Sequence, residues 1–537
     1  MKTGDQIRKN IMVNEMKTVK GAGKVWLVGA GPSDAGLFTL KGHQVLTDAE
    51  VVVYDALVGP AILAMIPDTA EAINVGKRSS NHTMRQEQIS ELLAEKAKEG
   101  KRVVRLKGGD PFLFGRGGEE LEVLIREGIS YEVVPGVTSA ISVPAYQGIP
   151  VTHRDYCSSV HIITGHKREG EACDIDFEAL VRTRGTLVFL MGVSALKMIC
   201  EGLLAAGMKK DMPAALLSKG TTAAQKRIVA TVSTLPEEVA RQGAVTPAII
   251  VVGEVCALAD TFSWVDRLSL GGVRVLLTRP RELSGTTAQK LRKCGAEVIE
   301  LPAIRTKARE NNTALQQALT DISDYAWIVF TSPTGVRVFF EELQRQRFDV
   351  RRFSEVKFAV IGTGTAKELE KHGFYADLIP EVFDAAHLGA ALAKVCSHAR
   401  VLIPRAAIGS PELLAELQKT EGVQADDIAI YDTVYGLEED PETSPVQIKR
   451  ELEQGAETYV LFTSASTVKG FAAAAGDIAY TDVQAICIGA QTKAAADAYG
   501  MQTYMAERAT IDSLIEKLEE VHREKRMNNR KEEASWR

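Results

Sequence analysis

Residues 102–117 read RVVRLKGGDPFLFGRG. A β-branched run stops abruptly in two glycines, an acid and a pair of phenylalanines. The run predicts a buried strand, and adjacent glycines at its end permit positive φ and leave room beside the backbone. The same grammar surrounds it. KVWLVGAG (24–31), EVVVYDAL (50–57) and YEVVPG (131–136) read as further buried strands. TMRQEQISELLAEKAKEG (83–100) reads as a helix, with a capping-box pattern at Thr83 and Gln86 and Gly100 at its end. Apolar strands alternating with helices predict parallel α/β sheets. SVHIITGH (159–166), GTLVFLMG (185–192), PAALLSKG (213–220), KRIVATVSTL (226–235) and PAIIVVGEV (247–255) continue the series. No helix fits between 220 and 226, so this region is expected to be a mixed sheet with antiparallel pairs.

The pattern breaks at CALADTFSWVDRLSLGG (256–272) and restarts as RVLLTRP (274–280). Beyond it lies an internal repeat. WIVFTSPTGVRVFFEEL (327–343) resembles YVLFTSASTVKGFAAAA (459–475), and FAVIGTGTAKELEKHGF (358–374) resembles AICIGAQTKAAADAYGM (485–501), at nearly equal offsets. The period is too long for a solenoid and implies two similar α/β lobes. The chain is expected to leave lobe one after IELPAIRTK (299–307), build lobe two, and return near 436–458 to finish lobe one. Ligands of such proteins sit at the carboxyl ends of strands, in the cleft between lobes. The expected division is an extension over 1–23, a first unit over 24–259, a linker over 260–272 and a second unit over 273–520. Within that second unit, lobe one is 273–307 plus 437–520 and lobe two is 308–436. A charged tail, 521–537, reads as a frayed helix end.

Composition bounds the function. The 537 residues are 45% apolar and 25% charged, which excludes a disordered, collagenous or disulfide-built chain. Sixty-four basic and seventy acidic residues give a net charge of −6, an argument against non-specific nucleic-acid binding. Seven unclustered cysteines fit reduced thiols in a cytosol and carry no zinc signature. No apolar run approaches the roughly 20 residues of a membrane span. The first residues carry no apolar core of a secretory signal.

Three turns carry the chemistry. Gly29-Ala30-Gly31-Pro32-Ser33-Asp34 follows a strand, but Pro32 removes a backbone donor and no glycine stands at 34, so a dinucleotide phosphate cradle is disfavoured. In the 107–117 turn, Asp110 can accept hydrogen bonds from hydroxyls or an amine, and Phe112 and Phe114 offer flat apolar surface. Val134-Pro135-Gly136-Val137-Thr138-Ser139-Ala140 closes a third strand. On successive strands these turns would line one edge of one sheet. The first two can also be read as plain strand-to-helix turns.

Together GAGPSDAG (29–36), YDALV (54–58), VGKR (75–78), LKGGDPFLFGRG (106–117), VPGVTSA (134–140) and GIPVTHRDY (148–156) resemble the tetrapyrrole methylase family, and specifically uroporphyrinogen-III C-methyltransferase, over roughly 24–258. The resemblance implies two α/β lobes that hold S-adenosylmethionine against Pro32, Gly108, Gly109, Asp110, Leu113, Thr138, Ser139, Met191 and Gly220. It makes Asp55 the proton acceptor and Lys77 the proton donor. Asp55 also reads as a strand-end carboxylate capping a helix, and Lys77 as a solvated lysine. Arg78, Arg85, Arg116 and Arg154 lie near the motifs and can pair with substrate carboxylates. Ser33 stands where the family usually has glycine.

Residues 273–520 resemble uroporphyrinogen-III synthase through RVLLTRP, FTSPTGV, IGTGTA, IYDTVY (430–435) and the repeated FTS and Ile-Gly turns. That family closes linear hydroxymethylbilane with inversion of the last pyrrole. Tyr431 aligns with its candidate tyrosine. Ser332, Thr365, Ser464 and Thr492 sit at the repeated turns, expected to face the cleft and hold carboxylates, although helix capping alone also explains such hydroxyls. The combined expectation is a cytoplasmic enzyme of two steps. It would take hydroxymethylbilane to uroporphyrinogen III and methylate that at C2 and C7 to precorrin-2, for sirohaem or cobalamin. Its only cofactor would be S-adenosylmethionine, with none for the synthase half and no metal. Its partners would be small tetrapyrroles, not nucleic acid or membrane, and it would dimerise through the methyltransferase half. The rival reading is another tetrapyrrole or RNA methylase of the same fold, fused to a non-catalytic two-lobed binding module.

Overall fold

The computed structural model describes residues 21–76, 84–165, 175–279, 281–436, 444–453 and 455–535. Nearly all of the expected extension, with Lys77, Arg78 and Thr83, lies outside them. The helix read from 83 starts at Gln86, where the Arg85 N–H donates to Gln88 Oε1 at 2.8 Å.

The strands of the described residues form four five-stranded sheets. The first has the order β3-β2-β4-β1-β5, with β1 at Lys24–Gly29, β2 at Val51–Tyr54, β3 at Glu71–Asn74, β4 at Arg102–Lys107 and β5 at Ser130–Val134. Every pairing is parallel, so all five strands end at one edge. The second has the order β6-β7-β10-β8-β9, with β6 at Val160–Thr164, β7 at Thr186–Leu190, β8 at Pro213–Ser218, β9 at Lys226–Thr231 and β10 at Ala248–Val252. β6 and β7 are parallel, and β10 and β9 run against their neighbours, giving the expected mixed sheet. The helix Ser139–Tyr146 leaves the end of β5 and packs Ala140 and Val143 against Val188 and Leu217 of the second sheet, joining the two lobes.

The third sheet is wholly parallel: β12 (Glu297–Glu300), β11 (Val273–Leu277), then β18 (Glu457–Phe462), β19 (Gln484–Cys487) and β20 (Gln502–Met505). The fourth runs β13 (Ile304–Ala308), β17 (Gln424–Tyr435), β16 (Arg400–Ala406), β14 (Trp327–Phe330), β15 (Lys357–Val360). The repeat is visible as β14 beside β15 and β18 beside β19, both parallel. Lobe two is thus inserted between β12 and β18 of lobe one. Each of the four sheets is covered on both faces by a separate apolar cluster, as continuous apolar strands require.

Two expectations need correction. The stretch 299–307 is not one strand of lobe one. It divides at Pro302, and Ile304–Ala308 turns to pair antiparallel with Tyr431–Tyr435 in the sheet of lobe two. Pro302 cannot donate to a ladder, so the strand ends there. The two chain crossings between the lobes are therefore zipped into one ribbon. Nor does the helix fray at 521. It runs Ile511–Ser535, with Val521 and His522 buried, His522 Nδ1 2.9 Å from Glu457 Oε2, and Lys525 Nζ donating to Gln484 Oε1 at 2.7 Å. The helix docks on the edge of the third sheet formed by β19 and β20, with its His522 reaching β18. The 260–272 segment is also packed: the Trp264 indole donates to Ala145 O at 3.0 Å and meets Tyr146 edge-on at 5.1 Å.

Candidate functional site

Because β2, β4, β1 and β5 are neighbours and parallel, the turns that follow them share one edge. They touch. Gly31 and Gly109 form an antiparallel bridge, with Gly109 N donating to Gly31 O at 2.8 Å and Gly31 N to Gly109 O at 3.1 Å. A Cβ on Gly29 would lie 2.5 Å from Gly136 Cα, and one on Gly136 only 2.2 Å from Gly109 O. Three backbones approach more closely than any side chain allows. Asp110 completes the knot: Oδ1 accepts from Phe112 N (2.8 Å) and Leu113 N (3.1 Å), and Oδ2 from Gly136 N (3.1 Å). Both oxygens are engaged by backbone amides, so its first role is to shape and join two of the loops. Thr138 caps the next helix by accepting from Ala140 N at 3.2 Å, and Ser139 is that helix's first residue.

The second lobe meets this edge. β7 and β8 both run against β10, so Met191 and Gly220, just past their ends, leave the same side of the sheet. Thr221 Oγ1 donates to Pro32 O at 2.7 Å, and a Cβ on Gly220 would meet Val143 at 2.3 Å. Leu113 packs among the apolar residues under the second sheet. Met191 is 51% exposed.

Backbone strain concentrates here. Of ten described non-glycine residues with positive φ, six stand in these loops: Ser33 (114°), Phe114 (55°), Arg116 (57°), Met191 (56°), Lys219 (44°) and Thr221 (65°). Such strain gathers where a ligand must be met in a fixed geometry. Ser33 occupies a conformation that suits glycine alone. Ser33→Gly is accordingly expected to stabilise the fold by about 1 kcal/mol, the strain relieved less the added chain entropy. A raised melting temperature checks this; a lowered one would mean the hydroxymethyl group makes a contact that outweighs the strain.

Asp55 follows β2 at the same edge. Its Oδ1 accepts from Leu57 N at 3.1 Å and its Oδ2 lies 3.5 Å from the Arg105 guanidinium. Arg85, Arg116 and Arg154 are exposed, and Arg116 is held by Glu119 at 2.9 and 2.5 Å. Lys77 and Arg78 fall outside the described residues. Sequence reasoning missed the buried group beside Asp55. Arg105, Lys107 and Glu120 are interior, and Gln86 joins them. Burial, then Arg105 alongside, pulls the Lys107 ammonium below its ordinary value against the opposing pull of Glu120. The signal was available: two cations at alternate positions of an otherwise apolar strand share one face and demand a buried counter-charge.

In the second half, Ser332 ends the turn after β14 and caps the helix Pro333–Arg345, accepting from Gly335 N at 3.0 Å. Its Oγ is 3.0 Å from Tyr431 Oη. Tyr431, 6% exposed, lies where β17 slips register against β16, a bulge that re-aims its side chain at the root of the interlobe ribbon. Burial pushes its phenol up, while Ser332 pulls the other way. Ser464 repeats the cap on Ala465–Ala475, accepting from Thr467 N at 3.3 Å. Thr365 and Thr492 do not face a cleft. They are 2% and 4% exposed, the third residues of Thr363–Glu370 and Ala490–Asp497. Those helices start after the extended Gly362 and Gly489 without a side-chain cap, so the third position turns inward under the first turn.

Comparison with known proteins agrees with both halves. The family of tetrapyrrole (corrin/porphyrin) methylases matches residues 24–236, and uroporphyrinogen-III synthase HemD matches 285–516. The porphyrin biosynthesis protein HemD of Ruminiclostridium josui is 46% identical over 500 residues, 93% of this chain and 98% of that one. A uroporphyrinogen-III C-methyltransferase of Bacillus subtilis is 40% identical over 358 residues, covering 66% and 73% of the two chains. An S-adenosyl-L-methionine-dependent uroporphyrinogen III methyltransferase of Methanosarcina barkeri is 52% identical over 239 residues, covering 44% and 94%. With both signatures in one order, and nearly full-length identity to the R. josui protein, the chain belongs to the family in which a tetrapyrrole methylase is joined to a uroporphyrinogen-III synthase.

Proposed function

We propose that this chain performs two successive steps of tetrapyrrole synthesis. Residues 273–520 close hydroxymethylbilane to uroporphyrinogen III, and residues 24–259 methylate that product at C2 and C7 to precorrin-2, for sirohaem or cobalamin. The observation that carries the reading is the knot of three glycine turns, with strained loops from a second lobe and a carboxylate at the same edge, in a chain related throughout to a porphyrin biosynthesis protein.

The edge fits S-adenosylmethionine. Space over Gly109 is open, since a Cβ there would find nothing nearer than Ser139 N at 4.0 Å, and Met191 presents an exposed thioether chain from the facing lobe. Pro32, Gly108, Gly109, Asp110, Leu113, Thr138, Ser139, Met191 and Gly220 are the residues assigned to hold it. When bound, the group supplies a sulfonium methyl: a pyrrole carbon forms the new C–C bond as S–CH3 breaks, giving S-adenosylhomocysteine and a macrocycle that sheds one proton. The chain's part is to align donor and acceptor, exclude water and receive that proton. Asp55 is assigned the proton; Lys77 is assigned the donor role by resemblance alone.

In the second half, the Tyr431 hydroxyl is assigned as hydrogen-bond donor to the departing hydroxyl group, with Ser332 3.0 Å from it and Ser464 at the equivalent turn of lobe one assigned to substrate carboxylates. Thr365 and Thr492 contribute through packing. Tyr431→Phe is expected to cost about 0.5–1.5 kcal/mol of stability, one hydrogen bond, because ring packing persists. It should shift the product toward isomer I, which the free bilane forms spontaneously. An unchanged isomer ratio would leave Tyr431 a core residue only.

The decisive experiment supplies hydroxymethylbilane with and without S-adenosylmethionine. Uroporphyrinogen III without it and precorrin-2 with it are expected. Isomer I alone would reject the synthase assignment, and an unmethylated isomer III in both arms would reject the methylase assignment.

A further inference from the structure

Strand β4 carries cations where its neighbours are apolar. Val103, Arg105 and Lys107 alternate onto the face covered by the helices Gln86–Lys98 and Gly117–Arg126. Arg105 and Lys107 are nearly as inaccessible as Val103. Glu120, from the second of those helices, is fully buried. Its Oε1 accepts from Arg105 Nε at 3.1 Å, Lys107 Nζ at 3.0 Å and Gln86 Nε2 at 2.9 Å. Its Oε2 takes no hydrogen bond among the described residues. Three buried charges are a poor way to stabilise a core, since an apolar set of like volume does at least as well. The cluster therefore asks for another purpose.

The remaining guanidinium contacts show one. Arg105 NH1 donates to Val53 O at 3.3 Å and Leu106 O at 3.1 Å, and NH2 lies 3.5 Å from Asp55 Oδ2. Val53 is the register partner of Arg105, so the guanidinium lies beneath the last residues of β2, and Asp55 comes two residues later. With Lys107 protonated, Arg105 and Lys107 against Glu120 leave one positive charge in excess. Asp55 is the carboxylate placed to balance it. Among the described residues its side chain otherwise accepts only from the backbone amide of Leu57.

We propose that Arg105, clamped by Glu120, is the positioning residue that fixes the Asp55 carboxylate at the methyl-transfer edge. Arg105 does not reach the substrate; it acts through Asp55. Glu120 holds Nε and sets the plane of the guanidinium, and Lys107 and Gln86 hold Glu120. The Asp55 side chain then has one orientation when substrate arrives. This rests on the reading of Asp55 as the group that receives the proton.

The test uses the full chain and the variants Arg105→Met, Arg105→Lys, Asp55→Asn and the two Arg105 changes in the Asp55→Asn background. Methyl transfer to uroporphyrinogen III is followed at saturating S-adenosylmethionine, the cofactor Kd by calorimetry, and isomer III formation by the other half reports whether the chain is intact. Arg105→Met is expected to lower kcat roughly tenfold to a hundredfold, less than the roughly 10²–10⁴-fold that the proton-transfer group itself contributes, with cofactor Kd within about threefold of the parent. Arg105→Lys should recover part of the loss. In the Asp55→Asn background, either Arg105 change should cost less than about twofold more, because residues acting as one unit are non-additive. Full multiplication of the two losses would overturn the positioning role, as would a cofactor Kd that rises as far as kcat falls. If Arg105→Met does not fold, Arg105→Lys decides by the same comparison, and parental kcat in that variant overturns the proposal. Normal kcat in Asp55→Asn alone would instead reject Asp55 itself, a failure distinguishable from additivity.

Discussion

Asp55→Asn is expected to leave S-adenosylmethionine affinity near normal and to slow methyl transfer roughly 10²–10⁴-fold, the usual worth of a positioned acid–base group. Asparagine keeps the acceptor that Leu57 N uses, so the turn after β2 survives. What it loses is basicity and the charge facing Arg105 at 3.5 Å. Synthase activity in the same polypeptide supplies an internal standard. A variant that methylates at the parental rate would return Asp55 to a turn-forming acid.

Asp110→Ala is expected to have the second largest effect, and for a reason different from direct ligand contact. Alanine deletes the acceptor of three backbone amides and unties the loop after β4 from the loop after β5. Hydrogen bonds to a charged group contribute about 1.5–3 kcal/mol each and are not additive, so a loss near 3 kcal/mol is expected, or roughly a hundredfold in cofactor affinity. Asp110→Asn keeps one oxygen for Phe112 and Leu113 and should fall between. Calorimetry on the three proteins decides. Equal affinity in all three would show that the glycine contacts alone hold the knot.

How much of this was legible in the chain depends on what each residue's signal excludes. The turns after β1, β4 and β5 were readable because glycines at strand ends have few other uses, and Gly29 and Gly136 stand where a Cβ would collide with backbone. The bilobed second half was readable because a repeat of whole strand-turn-helix units survives divergence of individual residues. Thr365 and Thr492 were misread because a hydroxyl after a strand suits a cap or the interior of the first turn equally, and only the start of the helix distinguishes them. The Ile304–Ala308 strand was misassigned because alternation says nothing about which sheet a strand joins; Pro302 was the overlooked punctuation. The two cations of β4 signalled a buried counter-charge, but Glu120 lies on a following helix, and the approach of Arg105 to Asp55 exists only through the register of β2 and β4.

The insertion of lobe two between β12 and β18 has a consequence for the chain as it is made. β11 needs β18 as its inner neighbour, and 156 residues lie between Glu300 and Glu457. At about 5–20 residues per second, β11 and β12 wait roughly 8–30 s for the rest of their sheet to leave the ribosome, with both apolar faces uncovered. The strands of lobe two, all drawn from 304–435, can close in that interval. Its ribbon, β13 on β17, then brings the two cut ends of lobe one together before the second is complete. Ribosome-held chains ending near residue 475, with β17 outside the exit tunnel and β18 still within it, should therefore resist protease across 304–435 and be cut within 273–300. Protection of both regions alike would mean that the first two strands find shelter elsewhere, most simply against the half already synthesised, where Ala223 N donates to Glu297 Oε2 at 3.0 Å.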